Sequence, residues 1–201
     1  MKQKVFGIGL GRTGTTTLRK CFHLLGYSTV GSDDDMFELY SSGEMDRLLF
    51  EVDKFDFAKD YPWALMYKEL DERFPDSKFI LTTRKSGDIW YDSLRRHAKL
   101  KGKDMSLSVR GLVGEGSGKK DYIEMYENHN QEVRDYFRGR DNFAEMCWEN
   151  GHGWGEICTY LGLAIPLEDF PHSNPSPNLA KRYYLKARRP IRALIKKYTG
   201  L

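Results

Sequence analysis

Arg12 is followed at once by Thr13-Gly14-Thr15-Thr16-Thr17, and Gly7, Gly9 and Gly11 stand just before it. One permanent cation and four hydroxyls thus fall within six residues of a glycine-rich turn. That combination suits an oxyanion. A guanidinium presents a planar fork for bidentate contact with phosphate-type oxygens. Threonine hydroxyls add donors, and glycines let the backbone approach the anion closely. Two further groups could join this chemistry, Lys59-Asp60 and the pair Arg84 and Ser93.

The elements around Arg12 place it where an anion binds. Val5-Phe6-Gly7-Ile8 reads as a short buried strand. Leu18, Cys21, Phe22 and Leu25 then recur at the spacing of one helical face, and Gly26 follows where such helices end. Strand, glycine turn and helix N-terminus make a phosphate cradle: the first-turn N–H groups are unpaired, and the helix dipole favours negative charge there. The usual nucleotide triphosphatase loop requires Gly-Lys-Ser/Thr, with the hydroxyl on magnesium. No lysine follows Gly14, and the cation comes earlier, as Arg12.

Tyr27 to Val30 reads as extended, and Gly31-Ser32-Asp33-Asp34-Asp35 as a loop capping a helix from about Met36 to Tyr40. The aspartate run lacks the spacing of a Ca²⁺ loop, and capping explains it. A helix from Glu44 to Val52 precedes a strand over Phe55 to Lys59. Pro62 suits the first position of a helix running to Phe74. A strand over Lys78 to Thr83 leads into a helix from Gly87 to Leu100. Lys101 to Lys120 holds five glycines, and two readings stand, a mobile lid and plain disorder. Asp121 is expected to cap a helix to Phe137. Asn142 to Cys147 suits a strand, Gly153 to Leu161 a helix closed by Gly162, and Pro166 to Pro177 a surface crossing.

Alternating strands and helices predict an α/β fold, a three-layer sandwich with a mainly parallel central sheet. Ligands of such sheets bind beyond the carboxyl ends of the strands, where the Arg12 loop, Asp60 and Arg84 all fall.

The 201 residues suit one domain, 1–201, with a basic tail at about 179–201. Residues 181–201 hold eight of the 32 basic side chains and none of the 29 acidic ones, so the body is mildly acidic. A nucleic-acid-binding domain carries its basic patch within the fold, and no such partner is expected. The tail reads either as a basic amphipathic helix touching an anionic surface or as a solvated helix packed on the domain. Three cysteines in no metal-like pair argue for reduced thiols. Met1-Lys2-Gln3-Lys4 runs straight into the first strand, so the expectation is a cytoplasmic protein without a leader. No two of the five histidines have the spacing of a helical metal pair, and no metal is expected. His97, beside Arg95-Arg96, reads as solvated.

Arg12-Thr13-Gly14-Thr15-Thr16-Thr17-Leu18 after a strand resembles the 5′-phosphosulfate loop of the sulfotransferases that use 3′-phosphoadenosine 5′-phosphosulfate (PAPS). Lys78 to Arg84, continuing through Trp90-Tyr91-Asp92-Ser93, resembles that family's 3′-phosphate motif. Trp154 to His172 carries a weaker likeness, and the match is closest to small bacterial-type members with a P-loop nucleotide-kinase-like fold.

The resemblance implies PAPS as co-substrate, with 3′-phosphoadenosine 5′-phosphate (PAP) as product. Gly11, Arg12, Thr13, Gly14, Thr15, Thr16 and Thr17 would bind its 5′-phosphate end, and Arg84 and Ser93 its 3′-phosphate. The Arg84–Ser93 separation is one residue longer than in the best-known members, and Ser86 is an alternative to Ser93. The family's proton-accepting His precedes a Pro by two residues; here Asp60 stands at that place, before Tyr61-Pro62. Asp60 is therefore the implied general base, with Arg12 stabilising the leaving group. Strand alternation predicts that Lys59 and Asp60 point to opposite faces, with Lys59 either exposed or helping to neutralise the sulfuryl oxygens. The implied acceptor is a hydroxyl or amine of a small molecule or glycan. Two rival readings are a P-loop small-molecule kinase and a non-catalytic nucleotide-binding protein; the oligomeric state is left open.

Overall fold

The computed structural model describes residues 2–171. The basic tail and His172 lie outside the described residues, as does the second half of the Pro166 to Pro177 crossing.

The central strand β1 (Val5–Gly7) is buried throughout. Helix α1 (Thr15–Leu24) follows it, then β2 (Thr29–Val30), α2 (Asp34–Ser41), α3 (Met45–Asp53), β3 (Phe57–Lys59) and α4 (Tyr67–Arg73). The second half of the chain gives β4 (Lys78–Thr82), α5 (Gly87–Lys101), α6 (Met105–Ser108), α7 (Lys119–Tyr136), β5 (Phe143–Met146) and α8 (Trp154–Leu161). A 3₁₀ turn, Trp148–Asn150, links β5 to α8. The sheet order is β2-β3-β1-β4-β5, and every pairing is parallel. The chain leaves β1 toward one edge and later returns to the other side of it. Beside β1 the strand order therefore reverses, and sheets of this kind bind ligands at such a point, beyond the carboxyl ends of the strands.

Pleating sorts the core into two layers. Val5 packs with Leu18, Cys21 and Phe22 of α1 and with Ile157 and Cys158 of α8. Phe6 and Ile8 pack on the opposite face with Leu48 and Val52 of α3, Leu70 of α4 and Val133 of α7. Helices thus cover both faces, and the architecture is the three-layer α/β sandwich that the alternating pattern predicts. Among the described residues no helix is long and apolar enough to cross a membrane.

Asp33 caps α2, its carboxylate accepting from the amides of Asp35 and Met36 at 3.0 and 3.2 Å. Three local expectations need correction. Pro62 follows a cis peptide bond, and α4 begins only at Tyr67, because residues 61–65 form a turn. Asp121 does not cap α7 from outside. It stands inside the first turn and accepts from the Gly118 amide at 2.7 Å. The 101–120 stretch contains α6 and sends Val109 and Val113 into a third apolar cluster, with Leu10, Tyr61, Trp90 and Tyr126. Its glycines serve turns; Gly111 and Gly116, for instance, have positive φ.

His129 ties α7 to the end of β1. Its Nε2 lies 2.9 Å from the Ile8 carbonyl, so the neutral ring carries its proton on Nε2 and donates. Burial holds its pKa below 6.5, although the Ile8 carbonyl and Glu132 act in the opposite sense. The unfolded chain therefore takes up the proton first. Stability from this contact is full above the unfolded value of about 6.5 and is lost as pH falls below it. Denaturant unfolding should show a lower stability at pH 5.5 than at pH 7.5, with a shallower dependence for His129→Gln. A parent curve that is flat over this window would contradict the assignment.

Candidate active site

The loop after β1 is held by its own threonine and by two indoles. Thr13 Oγ1 donates to the Leu10 carbonyl at 2.7 Å and lies 2.7 Å from Thr82 Oγ1 at the end of β4. Its side chain is fully buried, and these two contacts occupy its hydroxyl. Trp90 Nε1 of α5 donates to Gly11 O at 2.9 Å, and Trp148 Nε1 donates to Gly14 O at 3.3 Å. Gly14 has φ 95°, and a Cβ there would overlap the Trp148 indole, so only glycine fits. The first intrahelical bond of α1 runs from Leu18 N to Gly14 O at 3.1 Å. The amides of Thr15 and Thr16 thus lie in the opening turn, where N–H groups precede the helical ladder. Thr16 is exposed, while Thr15 and Thr17 are buried.

Arg12 has φ 77°, a rare conformation for a non-glycine residue. Its Nε is buried without a hydrogen-bond partner. Burial holds its pKa below the usual value; the charges of Arg84 and Arg96 add to this, and Asp60 opposes it. A guanidinium keeps its proton regardless. The result is an under-compensated cation beside a helix N-terminus.

Asp60 follows β3 with φ 65°, another left-handed non-glycine residue. That backbone turn corrects the expectation of opposite faces: the strand ends at Lys59, and Lys59 Nζ meets Asp60 Oδ2 as an ion pair. Lys59 is buried rather than exposed. Asp60 Oδ1 is buried with no partner. Tyr61, next along, buries its hydroxyl without a partner, and its ring lies 3.9 Å from where a Cβ on Gly11 would stand. Burial pushes the Tyr61 pKa far up; Asp60 adds to this and Arg110 opposes it.

Arg110 has φ 54°, the third non-glycine residue with positive φ among the described residues. It reaches from the segment after α6 to Asp34 Oδ1 at 2.6 Å and Ser32 Oγ at 3.1 Å. Its guanidinium lies over the Phe37 ring, 4.9 Å from the centroid.

Arg84 follows β4. Its Nε donates to the Arg12 carbonyl at 2.8 Å, so it joins the loop directly. Its amide donates to Tyr126 Oη at 2.9 Å, and its Nη1 pairs with Glu149 Oε1 at 2.8 Å. Ser93 is buried within α5. Ser86 caps α5, its Oγ accepting from Ile89 N at 3.3 Å, and so is already committed. Among the histidines, His152 Nδ1 accepts from Cys147 N at 3.2 Å. His97 is only partly exposed, contrary to the solvated reading. Burial lowers its pKa, with Arg12, Lys101 and Lys103 adding to the effect.

The loop with Arg12, the Lys59–Asp60 pair and Arg84 are thus brought to one end of the sheet. The sequence reading missed Tyr61, Trp148 and Glu149. Glu149 had one available signal, an acidic residue just beyond a strand end at the ligand-binding edge.

Among solved structures, the chain is similar to a shikimate kinase from Bacteroides thetaiotaomicron, 16% identical, covering 80% of this chain and 94% of that one, with TM-score 0.49. A deoxyadenosine kinase from M. mycoides with bound dCTP is 12% identical, covering 74% and 91%, with TM-score 0.41. The "Ava biosynthesis cluster protein M" of Aspergillus versicolor is 25% identical over 214 residues, 84% of this chain and 80% of that one. The model of the sulfotransferase domain matches residues 4–108 and 101–179, which takes in the glycine loop, Asp60 and Arg84. With that match over most of its length, the chain belongs to the sulfotransferase-domain family.

Proposed function

We propose that the protein transfers a sulfuryl group from PAPS to a hydroxyl or amine of a small-molecule or glycan acceptor. One observation carries this reading. Arg12 Nε, Asp60 Oδ1 and Tyr61 Oη, three buried polar side-chain atoms without partners, belong to two loops that meet beside the helix N-terminus. Buried polar atoms are rarely left unpaired, and a ligand or an ordered water usually completes them; here three of the five such atoms among the described residues belong to these two loops. A cation, a carboxylate and a phenol there suit an anionic donor on one side and a proton-bearing acceptor on the other. The relative's name, a biosynthesis cluster protein, supports a small-molecule acceptor.

PAPS supplies the sulfuryl group on a 5′-phosphate leaving group. Arg12 and the first-turn amides of α1 stabilise the negative charge that develops on that phosphate. Asp60 takes the acceptor proton on Oδ1, and Lys59 holds the carboxylate through Oδ2. Tyr61 Oη is assigned as a hydrogen-bond donor to the acceptor or to a sulfuryl oxygen, since it is buried without a partner. Arg84 and Ser93 are assigned to the 3′-phosphate, the group that separates PAPS from ATP. Thr13 acts by shaping the loop, since its hydroxyl is bonded inward.

Calorimetric titration tests this. PAP should bind without magnesium, and ATP poorly with or without it. Arg84→Ala should cost about 1.5–3 kcal/mol of PAP affinity and distinctly less of adenosine 5′-monophosphate (AMP) affinity, since for AMP only the bond that Arg84 gives the Arg12 carbonyl is lost. Magnesium-dependent ATP binding stronger than PAP binding would replace the assignment with a kinase.

A further inference from the structure

We infer that Glu149 is a built-in competitor for the anion at Arg84. It sets how firmly a 3′-phosphate is held and how readily the desulfated nucleotide leaves. The inference rests on the assignment of Arg84 to that phosphate.

The two arginines of the site are presented differently. Arg12 leaves its Nε buried and bare. Arg84 has two of its donor positions already engaged, Nε by the Arg12 carbonyl and Nη1 by Glu149 Oε1, each at 2.8 Å. The other Glu149 oxygen accepts from the Lys85 amide at 3.1 Å, so the carboxylate straddles the start of the Arg84 loop. Glu149 sits in the 3₁₀ turn that Trp148 pins to Gly14. The turn is thereby fixed to the same loop that holds the 5′ end.

An anion arriving at the remaining N–H groups of Arg84 meets a carboxylate on the same guanidinium. Either Glu149 yields its bond, or the two negative charges stay within a few ångströms of each other. The Arg84 and Glu149 side chains keep 18% and 29% of their surface exposed, so the pair can exchange partners. The opposition acts at the end of the nucleotide that does not react. A 3′-phosphate is bound equally in the ground state and the transition state, so weakening its hold sacrifices no stabilisation of the transferring group. The bare cation is reserved for the end where charge develops, and the partnered one for the end that only anchors.

The test is titration of PAP and AMP, which differ only in the 3′-phosphate, against the parent and Glu149→Gln. Glutamine keeps the shape and an acceptor for Arg84 but removes the charge. PAP should bind roughly three- to tenfold more tightly and dissociate more slowly, with AMP essentially unchanged. Should the glutamine variant fail to fold, Glu149→Ala carries the same expectation. Weakened or unchanged PAP binding would show that Glu149 orients Arg84 or merely closes the loop, and would overturn the inference. If Arg84→Ala weakens PAP while neither Glu149 variant tightens it, the inference alone fails. If PAP does not bind the parent, the sulfotransferase reading of the site fails first.

Discussion

An Asp60→Asn enzyme should fold, bind PAP as well as the parent or slightly better, and turn over about 10²- to 10⁴-fold more slowly. Asparagine is among the few residues that accept a left-handed backbone, so φ 65° at this position does not obstruct it. Its amide oxygen can still accept from Lys59, which keeps the local fold. What disappears is the capacity to take a proton. The PAP expectation follows from charge: Asp60 lies close enough to Arg12 to offset part of its positive surroundings, and removing that carboxylate leaves the cation freer for phosphate. The measurement is single-turnover conversion of PAPS to PAP with an acceptor that supports the parent. Near-normal turnover by the folded variant would remove Asp60 from the mechanism. His97 would then be the histidine to examine, since His129 is bound to the Ile8 carbonyl and His152 to the Cys147 amide.

Gly9→Ala should destabilise the fold by at least about 3 kcal/mol, or prevent folding, while Gly11→Ala should leave stability nearly unchanged. The two glycines are two residues apart in the same loop, yet their surroundings differ. A Cβ on Gly9 would run into the backbone and hydroxyl of Thr82, including Thr82 N at 2.7 Å. The Thr82 hydroxyl can rotate, but the backbone atoms belong to β4 and cannot swing aside. A Cβ on Gly11 would meet only the edge of Tyr61 at 3.9 Å, an ordinary contact. Denaturant midpoints of the two variants give the comparison. A Gly9→Ala protein as stable as the parent would mean that the loop after β1 does not approach β4 this closely. Under the proposed assignment of Gly11 to the 5′-phosphate end, Gly11→Ala should still weaken nucleotide binding.

That pair illustrates what a sequence conceals. The glycine run announces a turn that comes close to something, and which glycine touches backbone depends on the distant strand that carries Thr82. The strand and helix order was legible because apolar periodicity is local, as at Leu18, Cys21 and Phe22. The convergence of Arg12, Asp60 and Arg84 was legible for a general reason, that parallel sheets gather their strand ends. Side-chain direction beyond those ends was not. Alternation failed at Lys59-Asp60 because the chain leaves the strand through a left-handed residue, which only tertiary context imposes. The start of α4 was misjudged because Pro62 fits both a helix start and a tight turn. The 101–120 stretch looked structureless by its glycine content, yet Val109 and Val113 fill the third cluster. Glu149 and Trp148 escaped notice because their partners, Arg84 and Gly14, lie 65 and 134 residues earlier.

The two indole contacts to the glycine loop give the protein an optical voice. Trp90 and Trp148 donate to Gly11 O and Gly14 O, one on each side of Arg12. Indole emission responds to the strength of that N–H bond and to the charges near the ring. A rearrangement of the loop should therefore change the native fluorescence through both indoles, over a background from Trp63 and Trp154, which make no such bond to the loop. If the loop holds the nucleotide as proposed, its occupancy could then be followed in real time without a label, a substrate or knowledge of the acceptor.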